Sequence, residues 1–232
     1  MSTLYERYES VLKRVEDARK KSDKDPGTVL IAVSKMHPAS DIKELYDHGV
    51  RVFGENKVQE LVDKQESLPD DIEWHLIGHL QRNKVKYIVG KTALIHSVDS
   101  VRLAEEISSQ AVKKNTQCDI LLEINVSGEE SKFGLEPDKA EETARQISSL
   151  PGVRIRGLMT IAPYTDDPES SRKFFAKLRQ LSVDIAQKNI DNVSMDFLSM
   201  GMTGDFEVAV DEGAAFVRVG TAIFGERDYG SN

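Results

Sequence analysis

The chain has 232 residues, 39% of them hydrophobic and 30% charged, enough apolar material for a sizeable core and too much for a disordered polyelectrolyte. Its 31 basic against 39 acidic side chains leave a net charge of −8 with no long basic block, which is poor electrostatics for non-specific binding to nucleic-acid phosphates. The longest uninterrupted apolar run, Val29 to Val33, is far short of the roughly 20 apolar residues that cross a bilayer, so no membrane span is expected.

The N-terminus mixes charges of both signs every few residues and lacks the apolar stretch of a secretory signal, so a cytoplasmic location is expected. Within it, Leu4, Tyr8, Val11, Leu12, Val15 and Ala18 recur at helical spacing behind Thr3 and Glu6, a capping-box pair. This predicts an N-terminal amphipathic helix. After the Asp25-Pro26-Gly27 break, short apolar runs rich in β-branched residues follow at 28–34, 50–54, 74–77, 94–98, 120–126, 153–161, 195–200 and 216–224. Stretches of helical spacing or composition lie between them, among them 100–114, 136–149 and 169–188. Strands alternating with helices are expected to be parallel, and this number of them predicts a closed (β/α)₈ TIM barrel. The competing architecture is an open doubly wound sheet. Its G-x-G-x-x-G signature is missing, because the first run ends in Ser34-Lys35-Met36-His37-Pro38. No segment reads as an interdomain linker, so a single domain over 1–232 is expected. The lone Cys118 has no internal disulfide partner and lies in an apolar run, which fits a buried structural thiol.

Barrel chemistry sits at the C-terminal ends of the strands. There the chain carries Ser34 and Lys35 after the first run, Gly54, Glu55 and Asn56 after the second, and Gly78, His79 and Gln81 after the third. Met159 and Thr160 lie near the end of the sixth, Ser199 to Gly204 follow the seventh, and Arg218, Gly220 and Thr221 fall in the eighth. A lysine at a strand end ordinarily reaches out to solvent. Lys35, however, directly follows an apolar run at a barrel mouth, where partial burial makes an amine nucleophilic. Ser199, Gly201, Thr203 and Gly204, and again Gly220 and Thr221, offer hydroxyls and unshielded N–H groups after strands 7 and 8, a frequent phosphate site in such barrels. The plainer reading is two tight turns that need glycine. Together, an amine and a phosphate site at one mouth point to pyridoxal phosphate, held as a Lys35 aldimine with its phosphate on loops 7 and 8. His37, His75 and His79 are not spaced with carboxylates as a metal set; packing or hydrogen-bonding roles are expected, and no metal site.

The segments Val33-Ser34-Lys35, Phe53-Gly54-Glu55-Asn56, Trp74 through Lys84 (WHLIGHLQRNK), Leu198 through Thr203 (LSMGMT) and Val217 through Gly225 (VRVGTAIFG) resemble the pyridoxal phosphate homeostasis protein family. That family looks like the barrel domain of alanine racemase standing alone. The resemblance implies a cofactor lysine at Lys35, a pyridine-nitrogen contact from Arg218, phosphate contacts around Ser199, Thr203, Gly220 and Thr221, and Asn56 near the ring. Two departures are Met36, where threonine is usual, and Thr203, where serine is common; the second keeps its hydroxyl.

An arginine has donors only, so a ring nitrogen facing Arg218 is unprotonated and the ring is a weaker electron sink than one paired with a carboxylate. Racemisation by the alanine racemase route also needs a second base, supplied there by an additional domain. The sequence ends at Asn232, soon after Gly225, and no such domain is expected. A cofactor carrier or buffer with little or no turnover is therefore the favoured reading, acting as a monomer with apo pyridoxal phosphate enzymes as acceptors. One alternative is a slow racemase or decarboxylase using Tyr164 or His79 as the second acid or base. Another is a barrel enzyme on a phosphorylated metabolite, with Lys35 in a Schiff base to substrate.

Overall fold

A computed structural model describes residues 2–129 and 133–225. The first helix, α1 (Leu4–Lys21), starts at Thr3 in a complete capping box, with Thr3 Oγ1 accepting from Glu6 N at 3.1 Å and Glu6 Oε2 accepting from Thr3 N at 2.8 Å. Its buried face is Leu4, Val11 and Val15. Strands and helices then alternate: β1 (Val29–Val33), α2 (Ala39–Asp47), β2 (Val52–Glu55), α3 (Val58–Ser67), β3 (Glu73–Leu76), α4 (Val85–Ile88), β4 (Leu94–Val98), α5 (Val101–Lys113) and β5 (Cys118–Glu123). The second half continues with α6 (Ala140–Ser148), β6 (Val153–Met159), α7 (Arg172–Ala186), β7 (Val193–Ser199), α8 (Phe206–Asp211), β8 (Phe216–Val219) and α9 (Thr221–Phe224).

The eight strands are parallel, pair in chain order, and close between β1 and β8, with Val29 opposite Phe216 and Ile31 opposite Arg218. This is the predicted (β/α)₈ barrel, and α1 lies against its last unit. Arg7 Nε donates to Ile223 O at 2.6 Å, and Arg14 pairs with Glu207 at 2.9 Å. Period-2 alternation splits the core in two. Leu30, Ala32, Phe53, Trp74, Leu76 and their counterparts face the helices, whereas Ile31, Val33, Ile77, Leu121, Met159 and Phe216 fill the barrel. Cys118 is buried, as expected.

Several expected boundaries are corrected. The eighth run was expected to be strand to 224, but β8 stops at Val219: Gly220 adopts helical dihedrals, and its carbonyl accepts from Ile223 N and Phe224 N, starting α9. Apolar composition continues across that break, so it did not reveal the change. Likewise β6 ends at Met159 rather than 161, β5 spans Cys118–Glu123 rather than 120–126, and β2 runs to Glu55. The helices expected from 136 and 169 begin as 3₁₀ turns at Pro137–Lys139 and Pro168–Ser171, where proline fits an opening turn.

Candidate functional site

At the C-terminal mouth of the barrel lies a cavity of about 460 Å³, within the size range of small-molecule sites. Lys35, Asn56, Thr203, Arg218, Gly220 and Thr221 all line it, so residues distant in sequence converge there. Ser199 does not line it. That residue is fully buried at the end of β7, with its hydroxyl engaged beneath the cavity.

Lys35 is half-buried in the turn after β1. Its successor, Met36, has φ +64°, a left-handed conformation uncommon outside glycine. The turn is held from α3: Met36 N donates to Glu60 Oε1, and Lys64 Nζ donates to Glu60 Oε1 at 2.7 Å, Glu55 Oε1 at 2.6 Å and Ser34 O at 2.8 Å. Burial pushes the Glu55 carboxyl up, opposed by the Lys64 ammonium and the hydrogen bonds from Lys64 and Ser34. Asn56 follows β2, and its Oδ1 is buried with no hydrogen-bond partner among the described residues. Gly78 permits this packing, because a Cβ there would sit 2.4 Å from Asn56 O.

Arg218 enters from β8 and is buried. Its Nη1 donates to Ser199 Oγ and its Nη2 to Thr160 O at 2.8 Å. Burial lowers its pKa to about 10, opposed by Glu123 and Asp205, yet it stays a cation at neutral pH. Glu123, buried at the end of β5, is pushed up to about 7, chiefly by burial, with Asp99 adding and Arg218 opposing. On the loop after β7, Gly201 has φ +89° and a Cβ there would meet Ala209 Cβ at 2.4 Å, so this turn requires glycine. Asp205 Oδ1 accepts from Met202 N at 2.7 Å, which orders the loop carrying Thr203 and Gly204.

Sequence reasoning missed part of the wall. Ile161, Pro163 and Thr165 line the cavity from the loop after β6, a segment without the glycine-and-hydroxyl pattern that marks loops 7 and 8. It also missed His96, whose position in the apolar run Leu94–Val98 was the available signal. Tyr164 reaches the cavity edge, but it is 94% exposed and its hydroxyl donates to Asp166 Oδ1 at 3.2 Å. His79 is outside the lining, 3.5 Å from Asp99 and stacked on Phe133. His37 stacks on Phe224, and His75 hydrogen-bonds inside the barrel.

The family model for the alanine racemase N-terminal domain matches residues 8–228, nearly the whole of this parallel barrel. Alanine racemase from Clostridium difficile 630 shares the fold at 14% identity, with a TM-score of 0.73 over 95% of this chain and 56% of that one. A pyridoxal phosphate homeostasis protein of Aquifex aeolicus is 47% identical over 97% of this chain and 98% of its own length. PipY of Synechococcus elongatus, solved with pyridoxal phosphate bound, is 39% identical with a TM-score of 0.80, covering 92% of this chain and 99% of PipY. The chain belongs to the pyridoxal phosphate homeostasis protein family.

Proposed function

We propose that this chain binds pyridoxal 5′-phosphate at the barrel mouth and serves intracellular homeostasis of that cofactor as a carrier or buffer. The observation that carries the reading is the convergence of Lys35, Arg218, Asn56, Thr203 and Thr221 on one cavity. The buried Asn56 Oδ1, without a partner among the described residues, supports it, since such an acceptor is satisfied by a ligand or water. When bound, the cofactor supplies an aldehyde carbon and an electron-withdrawing ring. Lys35 would supply the amine for that aldehyde. Arg218 would donate to the ring nitrogen and, having no acceptor, would keep it unprotonated. Thr203, Thr221 and the backbone at Gly204 and Gly220 would hold the phosphate.

Little turnover follows from the same residues. Tyr164 is solvent-exposed and tied to Asp166, so it is not fixed over a substrate as a second acid or base. In this reading the protein is a cytoplasmic, single-domain monomer, and its acceptors are apo pyridoxal phosphate enzymes. The test is a pair of assays on one preparation: chiral analysis of alanine and other amino acids, and reactivation of an apo pyridoxal phosphate enzyme. Reactivation without racemisation is expected; robust racemisation overturns the carrier reading. A positioned acid or base contributes about 10²- to 10⁴-fold, so its absence is readily measured.

A further inference from the structure

A line of polar side chains runs through the apolar interior of the barrel. Glu73, at the start of β3, has its side chain 51% exposed at the N-terminal rim. His75 Nε2 is 3.2 Å from Glu73 Oε1, and His75 Nδ1 is 2.8 Å from His96 Nε2. His96 Nδ1 is 2.8 Å from Ser199 Oγ, which in turn accepts from Arg218 Nη1. His75, His96, Ser199 and Arg218 are all buried. Phe216 packs against both imidazoles, with ring centroids at 5.2 and 5.6 Å.

We propose that Glu73, His75, His96 and Ser199 form a one-way hydrogen-bond chain that holds both imidazoles as neutral Nε2–H tautomers and positions the Arg218 guanidinium at the cavity floor. The direction follows from Arg218, which can only donate. Ser199 accepts from it, and His96 Nδ1 is the other hydrogen-bond neighbour of its hydroxyl among the described residues, so the serine hydrogen is satisfied there. With that nitrogen accepting, His96 carries its hydrogen on Nε2 and donates to His75 Nδ1. His75 then carries its own hydrogen on Nε2, aimed at the Glu73 carboxylate, an acceptor when ionised. Every link has one donor and one acceptor; in the reverse direction Ser199 would accept twice and leave its hydrogen without an acceptor among the described residues, and a neutral His75 would turn the Nε2 lone pair toward the Glu73 carboxylate. Protonating His96 would strand the Ser199 hydrogen and add a second buried cation near Arg218. Burial, and after it the Arg218 cation, lower the His96 pKa, consistent with a neutral ring. Ser199 is one of two hydrogen-bond anchors of the guanidinium among the described residues, the other being Thr160 O. It therefore acts from beneath the cavity.

The importance of Arg218 rests on the proposed cofactor site, but the tautomers do not, and the test separates the two. Long-range proton–nitrogen NMR of the cofactor-free, nitrogen-15-histidine protein at neutral pH is expected to show His75 and His96 protonated on Nε2 only. Either ring protonated on Nδ1 overturns the chain, whether or not the cofactor binds. Ser199→Ala is expected to shift the His96 Nδ1 signal and to speed cofactor release about tenfold, the effect of one hydrogen bond to a charged group. Ser199→Thr keeps the hydroxyl and is expected to restore both, while Glu73→Gln keeps an acceptor and leaves the tautomers unchanged. Unchanged histidine signals in Ser199→Ala would sever the link to Arg218. Predicted tautomers in a protein that never takes up pyridoxal phosphate would sink the cofactor site and leave the chain standing.

Discussion

Glu123 shows how one side chain at the end of β5 ties the barrel's stability to pH. Burial is the main reason its carboxyl titrates near 7 rather than at the ordinary 4.5, with Asp99 adding to the rise and Arg218 opposing it. Between those values the folded protein holds a proton that the unfolded chain has released, so stability falls as pH rises through the window. Glu123→Gln removes the ionisation. Relative to the wild type, the variant is expected to gain up to about 3 kcal/mol at pH 8 and almost nothing at pH 4, read from urea unfolding. An equal gain at both pH values would trace the effect to packing instead. Ser199 illustrates a residue whose orientation was legible but whose partner was not. Phe197, two residues earlier on β7, packs on Phe216 in the interior, and period-2 alternation puts Ser199 on the same face. That its hydroxyl meets His96 depends on a strand 103 residues away in sequence.

At the level of elements, the segment that presents Lys35 is held by α3 rather than by its own strand. The left-handed Met36 costs on the order of 1 kcal/mol or more, and the Glu60 carboxylate that accepts its N–H offsets this. Lys64 does two jobs, orienting Glu60 and countering the buried charge of Glu55. The two roles separate on mutation. Glu60→Ala is expected to leave global stability within about 1 kcal/mol while amide exchange at Met36 rises at least about tenfold. Lys64→Met leaves Glu55 buried without its cation and should cost about 3–5 kcal/mol in urea unfolding. If the Met36 amide keeps its protection in Glu60→Ala, the clamp is not what holds the turn. None of this clamp was visible in the sequence. Glu55 stood out only at a strand end and within the Phe53-Gly54-Glu55-Asn56 segment of the family resemblance, and Glu60 and Lys64 have the composition of an ordinary exposed helix face.

Across the whole molecule, the alternation of short β-branched runs with helical stretches was sufficient to predict the closed barrel, because parallel strands need crossover helices and right-handed units pack only a few ways. Element ends were less legible. At Gly220 the chain turns from strand to helix while the surroundings stay apolar, since all four residues of β8 are buried and α9 buries Ile223 and Phe224. The cavity residues Lys35, Asn56, Thr203, Arg218, Gly220 and Thr221 could be placed because each stands at or near the end of a strand, where a barrel gathers its chemistry. The loop supplying Ile161 to Thr165 and the polar line through His75 and His96 required the three-dimensional arrangement.

Whether the cavity takes pyridoxal phosphate on Lys35, as proposed, is decided by borohydride reduction of the cofactor-loaded protein, followed by peptide mass mapping. One pyridoxyl group is expected, on Lys35, together with a Lys35→Ala variant that folds normally but lacks the visible absorption band. A pyridoxyl group on any other lysine of the wild type, or none after loading with excess cofactor, would contradict it.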